Sequence, residues 1–420
     1  MDIVSLLVFV LIIALAFWRK MNIGVLAFAA ALILGRAVGV SDKDIIKGLS
    51  SSLFVTLAGI TLLFAAVGST GAFEMLSKKI IAIAGKHIWV LPILAYLLGF
   101  VLAVIGPGAI PPTTLTITMC VSIALSSGYN PLMMGIIGGM GLMGGRVTPI
   151  TPEGSLVSSL AAEQGITGNI IAPVFAFQVL TTVVFAIVIF LAFKGHKVKP
   201  KLEKDVIEKT HASKTQIIAL LAIVLMLAMV TIFGMDVGLS AFLVAGLLFL
   251  FRIAADASCI KLIPWGTILM ILGVGLLMKV ISSAGGIDLL TNLLSSFMSK
   301  STAAALTGVI AGVMSLVSSG LGVVYPTLIP MASQLAASVG GANSVAIISA
   351  IVAGGSLAGF SPMSTCGALT ISATNSIRTN LSLEEQNKMF VQMFLIAVIA
   401  IVWVGVSAFL FSNLIVNILG

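Results

Sequence analysis

One arginine stands inside a run that is otherwise apolar, small or turn-forming: Gly144-Gly145-Arg146-Val-Thr148-Pro149-Ile-Thr151-Pro-Glu153-Gly154. An ionisable group among helix breakers in an apolar setting is expensive and is read first as part of a site. The planar fork of Arg146 suits a carboxylate. Thr151-Pro152-Glu153 reads as an N-cap, a proline in the first helical position and a first-turn acid, which sets a helix N-terminus near the arginine. The chemistry this spacing offers is anion binding. Two other readings of Arg146 stay open: a structural pair with Glu153 or helix-end carbonyls, and snorkelling. Glu153 is either a first-turn acid favoured by the helix dipole or a protonatable coupling group.

A second break, Gly359-Phe-Ser361-Pro362-Met-Ser364-Thr365-Cys-Gly367, has the same character without an arginine, so the site is expected to be asymmetric. Two further interruptions complete the set: Gly106-Pro-Gly108 through Pro112-Thr113-Thr114, and Ser318-Ser319-Gly320 through Pro326-Thr327. The expected anion-binding groups are Thr113, Thr114, Arg146, Thr148, Pro149, Thr151, Pro326, Thr327, Ser361, Pro362, Ser364 and Thr365. Carbonyls and hydroxyls at Gly106, Gly108, Gly144, Gly145, Ser318, Ser319, Gly320 and Gly359 suit a hard monovalent cation such as Na+ better than a transition metal. The bland reading of the same small residues is close helix packing, and the Gly141–Gly145 run favours it.

The elements that must position these groups are membrane helices. Of 420 residues, 59% are hydrophobic and only 9% charged, with a mean hydropathy of +1.22, the profile of an all-α polytopic membrane protein. The net charge of +8 does not point to nucleic acid, because seven lysines cluster between Lys194 and Lys214 and most others flank apolar segments. A polybasic lipid-binding loop is the alternative for that cluster. Cys120, Cys259 and Cys366 have no metal or disulfide spacing, no phosphate loop exists, and no nucleophile has a base nearby, so neither an ATP motor nor an enzyme is expected and no cofactor is implied.

Spans are expected at about 2–18, 22–40, 53–71, 131–162 and 170–193, then at about 215–234, 237–253, 265–284, 343–375 and 387–413. The spans 131–162 and 343–375 are the broken ones. Re-entrant hairpins are expected at about 88–127 and 302–339. Gly71, Glu74, Gly106, Gly108, Pro112 and Thr113 match Gly285, Asp288, Gly320, Gly322, Pro326 and Thr327 at a constant offset of 214; Pro149 and Gly154 match Pro362 and Gly367 one residue short of it. The chain therefore reads as a first repeat (1–194), a charged cytoplasmic linker (195–214) and a second repeat (215–420). Five spans in each make the repeats inverted, and paired interruptions in such repeats mark the site of a secondary transporter. Arg19, Lys20, Lys78, Lys79, Lys86, the linker lysines, Arg252, Lys261, Arg378 and Lys388 fall on one side, which is cytoplasmic by the positive-inside rule, placing both termini outside.

The segments Asn22-Ile-Gly-Val-Leu-Ala-Phe-Ala-Ala, Ser52-Leu-Phe-Val-Thr-Leu, Leu63-Phe-Ala-Ala, Pro131-Leu-Met-Met-Gly135 and Thr148-Pro149-Ile resemble the malonate and dicarboxylate carrier family. Ser361-Pro-Met-Ser-Thr-Cys-Gly367 is similar to a motif of the wider divalent-anion/sodium symporter group within the ion transporter superfamily. The resemblance implies import of a small carboxylate such as malonate or succinate and a homodimer in the bacterial inner membrane. It also implies an elevator movement, hairpin tips at Pro112-Thr113 and Pro326-Thr327, and breaks at Thr148-Pro149 and Ser361-Pro362. The Ser-Asn-Thr signature of sodium-coupled members is absent at both tips, leaving Na+ and H+ as alternatives. An ion channel, or a permease subunit fed by an extracellular binding protein, are the rival functions.

Overall fold

The computed structural model describes residues 1–19, 21–82, 88–106, 110–198, 212–377 and 383–420, and their regular structure is helical throughout. Gly108, Lys20, Lys86, Arg378 and most of the linker lie outside the described residues. The first half of the chain runs α1 (Asp2–Arg19), α2 (Ile23–Ala37), a short α3 (Asp42–Lys47), α4 (Ser51–Ser69), α5 (Ala72–Ala82), α6 (Leu91–Val104), α7 (Ile110–Ser127), α8 (Pro131–Gly145), α9 (Pro152–Ala162) and α10 (Ile171–Ala192). The second half repeats the order with α11 (Lys214–Thr231), α12 (Val237–Leu250), a short α13 (Asp256–Leu262), α14 (Trp265–Ser283), α15 (Gly286–Ser295) and α16 (Ala303–Val317). Its returning hairpin arm is divided into α17 (Tyr325–Leu328) and α18 (Ala332–Ser338). Then come α19 (Ser344–Leu357), α20 (Thr365–Ile377), α21 (Leu383–Ser407) and α22 (Asn413–Leu419).

Local sequence sets many of these starts. Asn22, Ser50, Asn130 and Thr151, then Ser213, Asp236 and Asn343, each accept a backbone N–H of the first turn, satisfying donors that a helix cannot pair internally. Among the described residues five helices are long and apolar enough to cross a membrane unaided, including α4, α10, α11, α14 and the 36-residue run Glu384–Leu419. The spans expected at 22–40 and 237–253 are shorter than anticipated. α2 has 15 residues and α12 has 14, because the left-handed residues Gly39 (φ 81°) and Arg252 (φ 57°) turn the chain out of the helix. At 1.5 Å per residue each covers only about 22 Å.

These short helices cross long ones at paired glycines. A Cβ on Gly24 of α2 would lie 2.2 Å from the Leu269 carbonyl oxygen of α14, and one on Gly273 would lie 2.3 Å from the Gly24 oxygen. A Cβ on Gly59 of α4 would lie 2.3 Å from the Gly238 oxygen of α12. Gly24 and Gly238, like Gly59 and Gly273, are 214 residues apart. The same crossing is thus built twice, with the halves exchanging roles, as a two-fold axis between inverted repeats requires.

The helices pack as two groups. α1–α4 and α11–α15 contact chiefly one another, as do α6–α8, α10 and α16–α22, while α5 and α9 touch both groups, α5 lying against α6 and α7 as well as α4 and α11. The groups meet where α14 touches the 320–324 turn and α17, α4 touches α9, and α15 touches α18. At the centre of the second group lies α8, all of whose residues are buried, beside α19, buried from Ala346 to Leu357. A helix apolar on all sides belongs in such an interior.

Candidate functional site

Both breaks in the central helices are built alike. After α8 ends at Gly145, the Thr151 hydroxyl donates to the Thr148 carbonyl (2.8 Å) and accepts from the Thr148 (3.0 Å) and Gly154 (3.1 Å) N–H groups, starting α9. After α19 and a tight turn over Ala358–Phe360, the Ser364 hydroxyl donates to the Ser361 carbonyl (2.7 Å) and also meets the Gly359 carbonyl, ahead of α20. The glycine three residues on is required in each copy. A Cβ on Gly154 would lie 1.8 Å from the Thr148 oxygen, and one on Gly367 would lie 2.1 Å from the Ser361 oxygen. Thr148, Pro149, Thr151 and Gly154 correspond to Ser361, Pro362, Ser364 and Gly367, all 213 residues apart.

Arg146 closes α8 beside this turn. Its side chain is only 7% exposed and its Nη2 donates to Glu153 Oε1 at 3.1 Å, the Glu153 side chain being 1% exposed. Nη1 contacts Met143 Sδ at 3.1 Å. Nε has no acceptor among the described residues. The pairing left open by the sequence is therefore present, and it leaves the guanidinium incompletely satisfied.

A cavity of about 550 Å³ exposes this arginine. Of the residues singled out above, Thr113, Arg146, Ser318, Ser319, Gly320, Gly359 and Ser364 line it. The hydroxyls differ in what they can offer. Ser318 donates to Met314 O, Ser315 to Gly355 O and Ser364 to the turn carbonyls, so their free lone pairs suit a cation or a donor. Ser319 instead accepts from the Gly322 N–H, leaving its hydrogen for an acceptor. It caps the wide turn Gly320–Val324, whose first N–H groups have no intrahelical acceptor.

Other expected site residues do not reach this cavity. Pro326 and Thr327 lie within α17 beyond the second tip, because the wide turn carries the chain five residues before it; Thr327 donates to Val323 O at 2.6 Å, and Pro326 borders a different cavity. Gly144 and Gly145 pack α8 against α6 and α10, where added Cβ atoms would strike Tyr96 and Thr182, and Phe100 O, respectively. Gly106, at φ 138°, packs on the Phe64 ring. Thr148 and Thr151 serve the break itself, as does Ser361, whose hydroxyl accepts from Met363 N–H. Thr114 is exposed, and Pro149 and Pro362 are absent from the lining. The backbone of Thr365 begins α20; its side chain lies outside the described residues.

Sequence reasoning missed Thr267 and Met270 of α14, Met21 and Ile23 at the α1–α2 turn, and Cys366, all of which line the cavity. The α1, α2 and α14 residues belong to the first helix group, and an apolar helix carries no mark of what its flank will face. Cys366 was visible only through repeat alignment, which places it where the first repeat has Glu153.

Among the described residues no three His, Cys, Asp or Glu side chains gather to hold a metal ion. A sequence profile of the citrate transporter family, CitMHS, matches residues 13–354. The chain belongs to this family. It is a secondary transporter of the citrate and carboxylate type, not an enzyme. Among solved structures this family member is similar to the Alcanivorax borkumensis YdaH transporter, described as having an unusual topology. The TM-score is 0.56 at 12% identity, covering 87% of this chain and 86% of that one, and the likeness concerns the fold. No curated protein matches the chain. The family assignment makes the protein a multi-pass membrane transporter that binds a small substrate within lipid.

Proposed function

We propose that the protein imports a small polycarboxylate, citrate or a dicarboxylate such as malonate or succinate, across the bacterial inner membrane, driven by a Na+ or H+ gradient. The observation that carries this reading is Arg146: a buried guanidinium, half-satisfied by Glu153, with Nε unpaired, at the wall of a cavity large enough for such an acid. The Ser319 hydroxyl and the N–H groups opening the 320–324 turn supply further donors. The Ser318 and Ser364 oxygens and the nearby carbonyls are the candidate cation ligands. The family match favours citrate as the first acid to offer.

The cavity is walled by the end of α1, the start of α2 and the start of α14, the ends that charge distribution assigns to the cytoplasm. A second cavity of about 450 Å³ lies by the end of α14 and the end of α9, on the opposite side in the same scheme. The larger size of the arginine cavity supports reading this arrangement as inward-facing. An elevator movement carries α6–α10 and α16–α22 against α1–α5 and α11–α15, the latter forming the dimer scaffold.

The test is uptake of labelled citrate, malonate and succinate into proteoliposomes holding only this protein, under an inward Na+ gradient, an inward H+ gradient or neither. Saturable uptake requiring one gradient is the expected result. A large unsaturable conductance would make the protein a channel. Uptake that appears only with an extracellular binding protein would make it a permease subunit.

A further inference from the structure

We infer that Gly359 sets the size of the anion this cavity admits, an inference that rests on the carboxylate reading above. Gly359 stands in the second break where Arg146 stands in the first, 213 residues earlier. Glycine is usually required either for a left-handed backbone or for close approach of another chain segment. Its neighbours fit the second case: a Cβ on Gly355 would lie 2.7 Å from the Tyr325 ring, and one on Gly367 would strike the Ser361 carbonyl. Gly359 fits neither. Its φ is not in the left-handed region, and a Cβ there would meet no atom within 4 Å. Two other glycines share that freedom without positive φ, Gly246 and Gly275, and neither lines this cavity.

Gly359 does line it, together with Arg146 and Ser364. The backbone at 359 would accept any small side chain, and what the glycine provides is empty volume in the cavity that holds the arginine. An alanine there leaves the turn intact and takes that volume from the substrate. A larger side chain takes more. The acids that lose are the bulky ones, since citrate carries a third carboxylate arm that malonate lacks.

The experiment compares the parent protein with Gly359→Ala and Gly359→Leu in proteoliposomes, using citrate, succinate and malonate, with thermal unfolding of each variant. One carbon more or less in a close-fitting pocket changes discrimination by about tenfold or more. The kcat/KM ratio of citrate to malonate should therefore fall about tenfold in Gly359→Ala and further in Gly359→Leu, with the Tm of Gly359→Ala no lower than the parent's. Equal loss for all three acids, or no change, overturns the inference. A second arm needs no transport. Gly359→Cys in a Cys366→Ala background should be modified by a small charged thiol reagent, while Cys366→Ala alone is not modified at that rate. Failure of Gly359→Cys to react overturns the placement. If the parent moves none of the acids, the carboxylate reading falls, and the thiol arm still decides whether position 359 faces the cavity.

Discussion

The two helix breaks share a frame and differ in charge. Thr151 and Ser364 each donate to the carbonyl three residues back, Thr148 and Ser361, and Gly154 and Gly367 each press on that same carbonyl. Yet Arg146 faces Gly359 across the repeat alignment, and Glu153 faces Cys366. Duplication preserved what the backbone needs and left only one copy of the ion pair. The physical reason is desolvation: each buried charge carries a penalty of several kcal/mol unless it is well paired. One arginine suffices to orient an anion, whereas a second buried pair would add that penalty again and take volume from the cavity.

The largest expected effect comes from breaking the charged member of the comparison. Arg146→Ala should abolish measurable uptake and, by breaking the buried ion pair with Glu153, destabilise the protein by about 3–5 kcal/mol. Arg146→Ala combined with Glu153→Gln should recover most of that stability without recovering uptake. Recovery of both in the double variant would make the arginine a structural partner only. Thermal unfolding and initial uptake rates of the three proteins separate these outcomes.

The shared frame makes the opposite demand, equal effects in both halves. Gly154→Ala and Gly367→Ala each force a methyl against a backbone carbonyl, and each should cost about 1–3 kcal/mol. Removing a cap is milder. Thr151→Ala should cost about 1 kcal/mol, with Thr151→Ser near the parent. Unfolding that responds to Gly154→Ala but not to Gly367→Ala would show that the two turns do not carry equal load.

What the sequence revealed follows the same division. Both breaks, both hairpins and the repeat offset were legible because proline, glycine and hydroxyl residues interrupt long apolar runs, and interruptions are discrete signals. Arg146 was legible because a charge in such a run is rare. Pro326 matches Pro112 at the repeat offset yet lies away from the arginine cavity, because the wide turn at Gly320–Val324 inserts helix between the tip and the proline. Thr267 was invisible for a different reason. Its part in the cavity wall depends on how the first helix group docks on the second, a long-range contact that no local pattern encodes.

That docking suggests the smallest effect, and the one that tests motion. On the side opposite the arginine cavity, Lys279 of α14 pairs with Glu163 at the end of α9 at 3.0 Å, and Gln334 of α18 donates to Asp288 of α15 at 2.6 Å. Each contact joins one helix group to the other, and sliding one group past the other would separate both. The Lys279 and Glu163 side chains are 43% and 38% exposed, so the pair is worth no more than about 0–1 kcal/mol. Lys279→Ala should therefore leave Tm almost unchanged. If the contacts hold the inward-facing arrangement, the variant should favour the other one, lowering apparent KM from the outer face and raising it from the inner face by a few-fold. Raising ionic strength should shrink the difference between parent and variant, because an exposed pair is screened within about 10 Å at 0.1 M salt. Equal changes on both faces would mean that Lys279 acts on the site itself, and no change on either would show that the Lys279–Glu163 pair does not hold the arrangement.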